Sequence, residues 1–391
     1  MTDKMVCPVH VPIDRARAFE WDYLGSLGGL YARMDALHDD AGVVWLQPEN
    51  GPGFWLLTSE EEIRRAFREP VNFSNRMGRS DDVPMMIPLM LDPPEHTAYR
   101  RLLQPLFSKG AVASLEPAIR RRFQALLEGV RGRGRCDFVE DIAIRYPTEI
   151  FTEWMGLPEE ETSGYVALVA ALIHGTSDER AAAVLDLHAG LGSLIAQRLA
   201  SPGDDLMSNI TRLEIDGRPV TADELVRIAF LLFIAGLDTV VAALSLSMAH
   251  LAQTVDDRRA LVDGTVSTDR AIEELLRRHA FVNVPRKVAQ DVVVDGVTLR
   301  QGDSLVLSTT LASRDPDVLT CPFDVDFERD AAHNFAFGLG THHCLGAHLA
   351  RLEMRVALDE WHAVIPDYEL DGDPEAYGGF VMGLTHLPLR W

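Results

Sequence analysis

The chain has 391 residues, 47% of them apolar, with 37 Lys+Arg against 59 Asp+Glu, for a formal charge of −22. This is the composition of a soluble globular protein, and it excludes disordered, collagen-like and low-complexity classes. A surface so acidic repels phosphate and argues against general nucleic-acid binding. The four cysteines, Cys7, Cys136, Cys321 and Cys344, show no C-x-x-C spacing. That argues against a zinc ribbon, a thioredoxin-type site or a disulfide scaffold, and points to a reducing cytoplasm.

No apolar leader follows Met1, and Pro8 comes at once, so neither a signal peptide nor a membrane anchor is predicted at the start. Residues 1–14 are expected to be flexible. Residues 1–50 read as irregular apart from a helix near Leu30–His38. Gly53–Thr58 reads as a short strand, and Ser59 with Glu62 as a capping box for the next helix. The loop 70–90 contains Pro70, Gly78, Pro84 and Pro88, yet it also carries Val83, Met85, Met86, Ile87, Leu89 and Met90. So apolar a loop is expected to cover something. Asp92-Pro-Pro-Glu95 opens a helix, with Asp92 as N-cap and Pro93 in the first turn. Helical periodicity then runs to about residue 200, where Pro202-Gly203 breaks it. Asp216-Gly217 is a turn between two short strands, and Thr221 with Glu224 caps the following helix.

That helix, about 222–252, is the most apolar segment, with a run from Ile228 to Leu237. Arg227 and Asp238 interrupt it and no basic cluster flanks it. It reads as the central helix of a soluble protein, not a membrane span. After Pro285 the period changes to two: Val292–Leu299 is a hairpin turning at Asp295-Gly296, and Gly302–Ser308 is another strand. A glycine-rich loop leads into a last helix from about Leu345 to Val364. The fold class is mainly α, with small sheets at the edge and no internal repeat or linker.

The strongest chemical pattern is Phe337-Gly-Leu-Gly-Thr-His-His-Cys-Leu-Gly346. A cysteine at a helix N-terminus is favoured as a thiolate by backbone N–H groups and the helix dipole. Gly338 and Gly340 permit a tight turn, and Gly346 lets a bulky flat group approach the helix. His343 stands where a dinucleotide fingerprint needs glycine. Three adjacent side chains, His342, His343 and Cys344, do not converge on one zinc ion.

The pattern F-G-x-G-x-H-x-C-x-G resembles the haem-binding loop of the cytochrome P-450 superfamily, and Phe337 to Gly346 match it at each fixed position. The resemblance implies that Cys344 is the axial thiolate on haem iron, a ligand that favours O–O cleavage. It implies that Phe337 shields the sulfur, that Gly338 and Gly346 shape the cradle, and that His342 meets a haem propionate. Ala235-Gly-Leu-Asp-Thr239 matches the family's oxygen-activation motif. Here Thr239 can bond back to a backbone carbonyl, and Asp238 with Thr239 would deliver protons to bound O₂. Glu274-Leu-Leu-Arg277 matches the family's E-x-x-R, completed by Arg329 as structural support beneath the haem. His96, Arg100 and Arg286 match the family's further propionate partners.

The likeness spans roughly residues 15 to 391 and is closest to the soluble bacterial camphor hydroxylase group. It implies one cytochrome P-450 catalytic domain over 1–391, a large helical domain around a buried haem b, with no fused reductase or ferredoxin domain. Camphor hydroxylase holds its substrate ketone with a tyrosine in the loop before D-P-P-E. That loop has no tyrosine here, and Pro84 falls at about its position, so a substrate other than camphor is implied. Leu231, Ile234, Ala235 and Thr239 would line the pocket, Met85, Met86 and Ile87 would roof it, and Val282, Phe380 and Val381 would close it. These side chains suit a small apolar substrate such as a monoterpene, a norisoprenoid or a small aromatic. Asn283 or His279 could offer a polar contact, and Arg76 and Arg79 leave room for an acid.

The expected activity is a haem-thiolate monooxygenase, fed with electrons by an iron–sulfur ferredoxin and its NAD(P)H reductase. Arg101, Lys109, Arg351 and Arg355 are the expected docking patch. A cytoplasmic monomer is expected. A peroxide-driven peroxygenase is the alternative, disfavoured by the intact Asp238-Thr239 pair. A haem-free ligand carrier would require each motif to be coincidence.

Overall fold

The computed structural model describes residues 8–40, 42–49, 51–76 and 85–391. The readings of residues 1–7 and of Gly78, Arg79, Val83 and Pro84 lie outside them. Five helices carry the argument: α1 (Glu60–Arg68), α2 (Glu95–Leu103), α3 (Ala222–Gln253), α4 (Thr268–Arg278) and α5 (Ala347–Val364). So do six strands: β1 (Ala16–Ala18), β2 (Val43–Gln47), β3 (Phe54–Leu57), β4 (Phe73–Ser74), β5 (Asn283–Val288) and β6 (Ser304–Ser308).

The chain divides into two compact units. One holds the described residues up to 76, Arg270–Cys344 and Pro374–Leu384. Its six-stranded sheet runs β1-β2-β3-β6-β5-β4, with β6 parallel to β3 and antiparallel to β5. In β2, Val43, Val44, Trp45 and Leu46 are all buried. A strand covered on both faces shows no alternation, which is why residues 43–47 read as irregular. Trp45 packs edge-on against Trp55 of β3, with ring centres 5.4 Å apart. Ser59 caps α1 by accepting from Glu62 N at 3.4 Å. The reciprocal half of the capping box is replaced, since Glu62 pairs with Arg65 at 3.2 Å. The predicted hairpin turns at Asp295 (φ 45°) and Gly296 (φ 74°), the backbone of a primed two-residue turn.

The other unit is predominantly helical and holds 85–269, Leu345–Asp373 and Thr385–Trp391. A three-stranded sheet of Arg135–Asp137, Glu369–Leu370 and Pro388–Arg390 sits within it. Thr221 and Glu224 cap α3 reciprocally. This helix has the length and hydropathy to cross a membrane, yet 72% of its most apolar window is buried within the protein, as in a core helix. The start of α2 differs from expectation. Pro94, not Asp92, stands at the N-cap, and the helix begins at Glu95. The second proline takes the cap position, and Asp92 serves through its carbonyl, which accepts from His96 N at 3.0 Å. The fold is that of a mainly α protein with small sheets, as the sequence indicates.

Candidate functional site

Cys344 is a half-buried cysteine, in no disulfide, on the loop between the turn Gly340–His342 and α5. Its backbone N–H donates to Phe337 O at 2.8 Å, and Gly338 N donates to Phe335 O at 2.7 Å. Phe335 N in turn donates to Ser313 Oγ at 3.0 Å. The loop rests on α1. Gly340 has φ +67°, and a Cβ there would stand 2.6 Å from Phe67 O, so only glycine fits both the conformation and the approach. At Gly346 a Cβ would meet nothing within 4 Å. The backbone two residues beyond the thiol is therefore open to a large neighbour.

One expectation is corrected. The helix begins at Ala347 with Gly346 as its cap, so Cys344 lies two residues ahead of that cap. Its N–H is held by Phe337 O and is not one of the helix's orphan donors. The helix dipole acts within the helix's first turn, and Cys344 stands ahead of it.

Further residues of the same unit meet at α1 and β5. Arg286 is buried on β5 with its guanidinium 5.7 Å from the Phe67 ring centre. Its NH1 donates to Pro285 O at 2.9 Å. His342 Nδ1 lies 3.1 Å from Asn75 Nδ2. Glu274, Arg277 and Arg329 come together: Arg277 makes two 2.8 Å bonds to the Glu274 carboxylate, and Arg329 Nε approaches Glu274 Oε1 at 3.3 Å. Arg277 also donates to the carbonyls of Ser313, Pro322 and Asp324. Val282 bridges Val381 in antiparallel register. Phe380 is 50% exposed and packs edge-on against Trp21 at 5.6 Å.

In the helical unit, the middle of α3 interrupts a buried helix. Ala235 is exposed, and Ile234, Asp238 and Thr239 are partly so, while Phe230 to Phe233 and Val240 to Ala249 are buried. Thr239 Oγ1 donates to Ala235 O at 2.8 Å. At Gly236 a Cβ would meet Phe151 Cε2 at 3.4 Å, an ordinary contact. On α2, His96 is buried and its pKa is pushed down to about 4, by burial first and by Arg100 second. A residue that the sequence did not single out, Tyr99, lies on the same helix and donates to Glu224 Oε1 at 2.7 Å. Glu224 also receives Arg218 and caps α3. This ties α2 to the start of α3, a link that no local spacing could disclose. Leu231 and Ile87 are buried, Met86 is partly exposed and Met85 exposed. In the expected docking patch, Arg101 and Lys109 are exposed, but Arg355 is engaged by Glu116 at 2.9 Å.

Among the described residues, no group of three or more His, Cys, Asp or Glu side chains could hold a metal ion. One thiolate supplies one ligand, and a porphyrin supplies four more to an iron bound there. The half-buried sulfur and the open backbone at Gly346 suit an iron porphyrin, and the buried guanidinium of Arg286 suits a carboxylate tail.

Comparison with known proteins agrees. The cytochrome P450 family model matches residues 266–370. A protein of Sinorhizobium fredii described as "Probable cytochrome P450 127A1" is 35% identical over 98% of this chain and 96% of its own length. The "Vitamin D(3) 25-hydroxylase" of Pseudonocardia autotrophica is 33% identical over 90% of this chain and 92% of its own. The crystal structure of cytochrome P450 CYP101C1 superposes with a TM-score of 0.89 at 33% identity, covering 99% of this chain and all of that one. The chain belongs to the cytochrome P450 family of haem-iron monooxygenases.

Proposed function

We propose that this protein is a cytoplasmic, monomeric haem-thiolate monooxygenase acting as one catalytic domain, which hydroxylates a C–H bond of a small apolar substrate. The single observation that carries this reading is the half-buried Cys344 side chain on a loop pinned to α1, with open backbone at Gly346. Haem b supplies the activation of O₂ and the insertion of one oxygen atom. Cys344 Sγ is the protein's iron ligand, screened by Phe337 and given room by Gly338 and Gly346. His96, Arg100, Arg286 and His342 hold the two propionates through charge-assisted hydrogen bonds. Ala235 presents no side chain beyond a methyl group and leaves its stretch of α3 accessible. Thr239 donates to Ala235 O, which orients its Oγ1 as a proton acceptor, and the Asp238 carboxyl passes protons to it from solvent. Glu274, Arg277 and Arg329 keep the loop's foundation fixed.

Met85, Met86, Ile87, Leu231, Ile234, Val282, Phe380 and Val381 bind the substrate, whose class is a monoterpene, a norisoprenoid or a small aromatic. A ferredoxin with an NAD(P)H reductase supplies electrons. Arg101, Lys109, Arg351 and Arg355 meet that acidic partner, with Arg355 held in place by Glu116.

The test is the absorption spectrum of the ferrous holoprotein with carbon monoxide. The red-shifted Soret band of a thiolate complex is expected, and Cys344→Ala is expected to abolish it. A band at the position of histidine ligation in the wild type overturns the assignment. In Thr239→Ala, NADH consumption is expected to continue while product falls and peroxide rises. Retained coupling removes Thr239 from the proton path.

A further inference from the structure

Behind the corner that carries Phe380 lies a cavity of about 10 Å³, lined among others by Trp21, Arg33, Asn283, Gly378, Gly379 and Met382. Three of these side chains contribute buried polar atoms that no described protein group satisfies: Trp21 Nε1, Arg33 Nε and Asn283 Oδ1. Asn283 is 1% exposed and Trp21 is 7% exposed. Leaving such an atom unbonded is costly, and buried polar groups in folded proteins are as a rule bonded. The volume is that of about one water. The chemistry selects the same ligand. The indole and guanidinium nitrogens only donate, and the amide oxygen only accepts. The amide's orientation is fixed, because Asn283 Nδ2 donates to Gly379 O at 2.8 Å. An anion would oppose the amide oxygen and a cation would oppose the two donors. Water serves both.

We propose that this cavity is a built site for one ordered water, and that Asn283 acts with it as the positioning residue for Phe380. The second half of this inference rests on the assignment of Phe380 as a substrate contact. Asn283 grips the corner at two points, through Nδ2 to Gly379 O and through its backbone N to Phe380 O at 2.8 Å. The corner has no slack of its own. A Cβ at Gly378 would lie 3.0 Å from Tyr23 Cβ and 3.2 Å from Trp21 O, and Gly379 has φ +127°. On the far side the Phe380 ring leans on the edge of Trp21. The water accepts from the Trp21 indole and donates to the Asn283 amide. It thereby locks together the two groups that hold Phe380 from either side.

The experiment is a high-resolution crystal structure of the holoprotein as wild type and as Asn283→Leu, with ligand titration of both by the spin-state shift. The ligands are toluene and phenanthrene, one compact and one bulky. The expected wild-type result is an ordered water within hydrogen-bond distance of Trp21 Nε1 and Asn283 Oδ1. In Asn283→Leu the water is expected to be gone, Phe380 displaced, and the ratio of the two Kd values changed about tenfold. No water in the wild-type cavity overturns the site. An unmoved Phe380 and an unchanged ratio in the variant overturn the positioning role. Should Asn283→Leu not fold, Trp21→Phe removes the indole donor and keeps the ring. It is expected to lose the water and shift the ratio in the same direction by a smaller factor, and an unchanged ratio there again overturns the role. The carbon monoxide spectrum is recorded on the same samples. A normal thiolate band beside a dry cavity defeats this inference alone. A missing band in the wild type defeats the functional reading, while the water density still decides the site.

Discussion

The region around Arg277 and the middle of α3 are held in place by opposite means. Arg277 is 0% exposed, and its guanidinium makes five hydrogen bonds, two to Glu274 and three to loop carbonyls. Geometry there is set by directional bonds from a few atoms. At Ala235–Thr239 the polar fastening we describe is the Thr239 bond to Ala235 O. Around it the helix is positioned by apolar volume, with Phe151 edge-on and Tyr165 tilted against Phe233. The first region tolerates no loss of a donor. The second tolerates change so long as volume is kept.

The sharpest way to break this contrast is Arg277→Ala. It strands the Glu274 carboxylate and three carbonyls, and we expect a loss of about 3–5 kcal/mol, read by urea unfolding. A loss below about 1 kcal/mol would erase the distinction between the two regions. Next is Gly340→Ala, which forces a Cβ into the left-handed region against Phe67 O. A loss of about 2–4 kcal/mol is expected, together with weaker haem retention. Third is an acid within the apolar unit. Glu353 on α5 is buried, its pKa is raised well above the ordinary 4.5 by burial, and its Oε2 has no hydrogen-bond partner among the described residues. A raised folded-state pKa means that stability is fully present below the unfolded value and declines as pH rises past it. Wild-type Tm is therefore expected to fall from pH 5 to pH 8 relative to Glu353→Gln, and parallel curves would refute the assignment. The smallest effect has the opposite sign. Gly236→Ala adds a methyl at ordinary contact with Phe151, and replacing a mid-helix glycine is expected to add up to about 1 kcal/mol of stability.

Legibility follows the same division. What is encoded in a short window could be read: the ten-residue cysteine loop, the Thr221–Glu224 cap, the Asp295-Gly296 turn and the long apolar helix. What depends on a distant partner could not. Strand β2 was invisible because both of its faces are covered by residues remote in sequence. Tyr99 gave no sign that its hydroxyl meets Glu224, 125 positions on. Arg355 gave no sign that Glu116, 239 positions earlier, stands beside it. The cap position itself moved for a local reason, since the second proline, Pro94, takes it in place of Asp92.

The wiring of the six-stranded sheet also sets a timetable. Trp55 Nε1 donates to Asp303 Oδ2 across 248 positions, and β3 finds its parallel neighbour only in β6. During synthesis β1, β2 and β3 emerge first and must wait, with the edge that β6 will cover still unpaired, until the ribosome has delivered the whole intervening helical stretch. Contacts this far apart are the slow ones to form, and a waiting strand edge invites the wrong partner. For this chain the hazardous interval is late translation, and yield in a heterologous host is expected to respond more to growth temperature and chaperone supply than to the strength of the promoter.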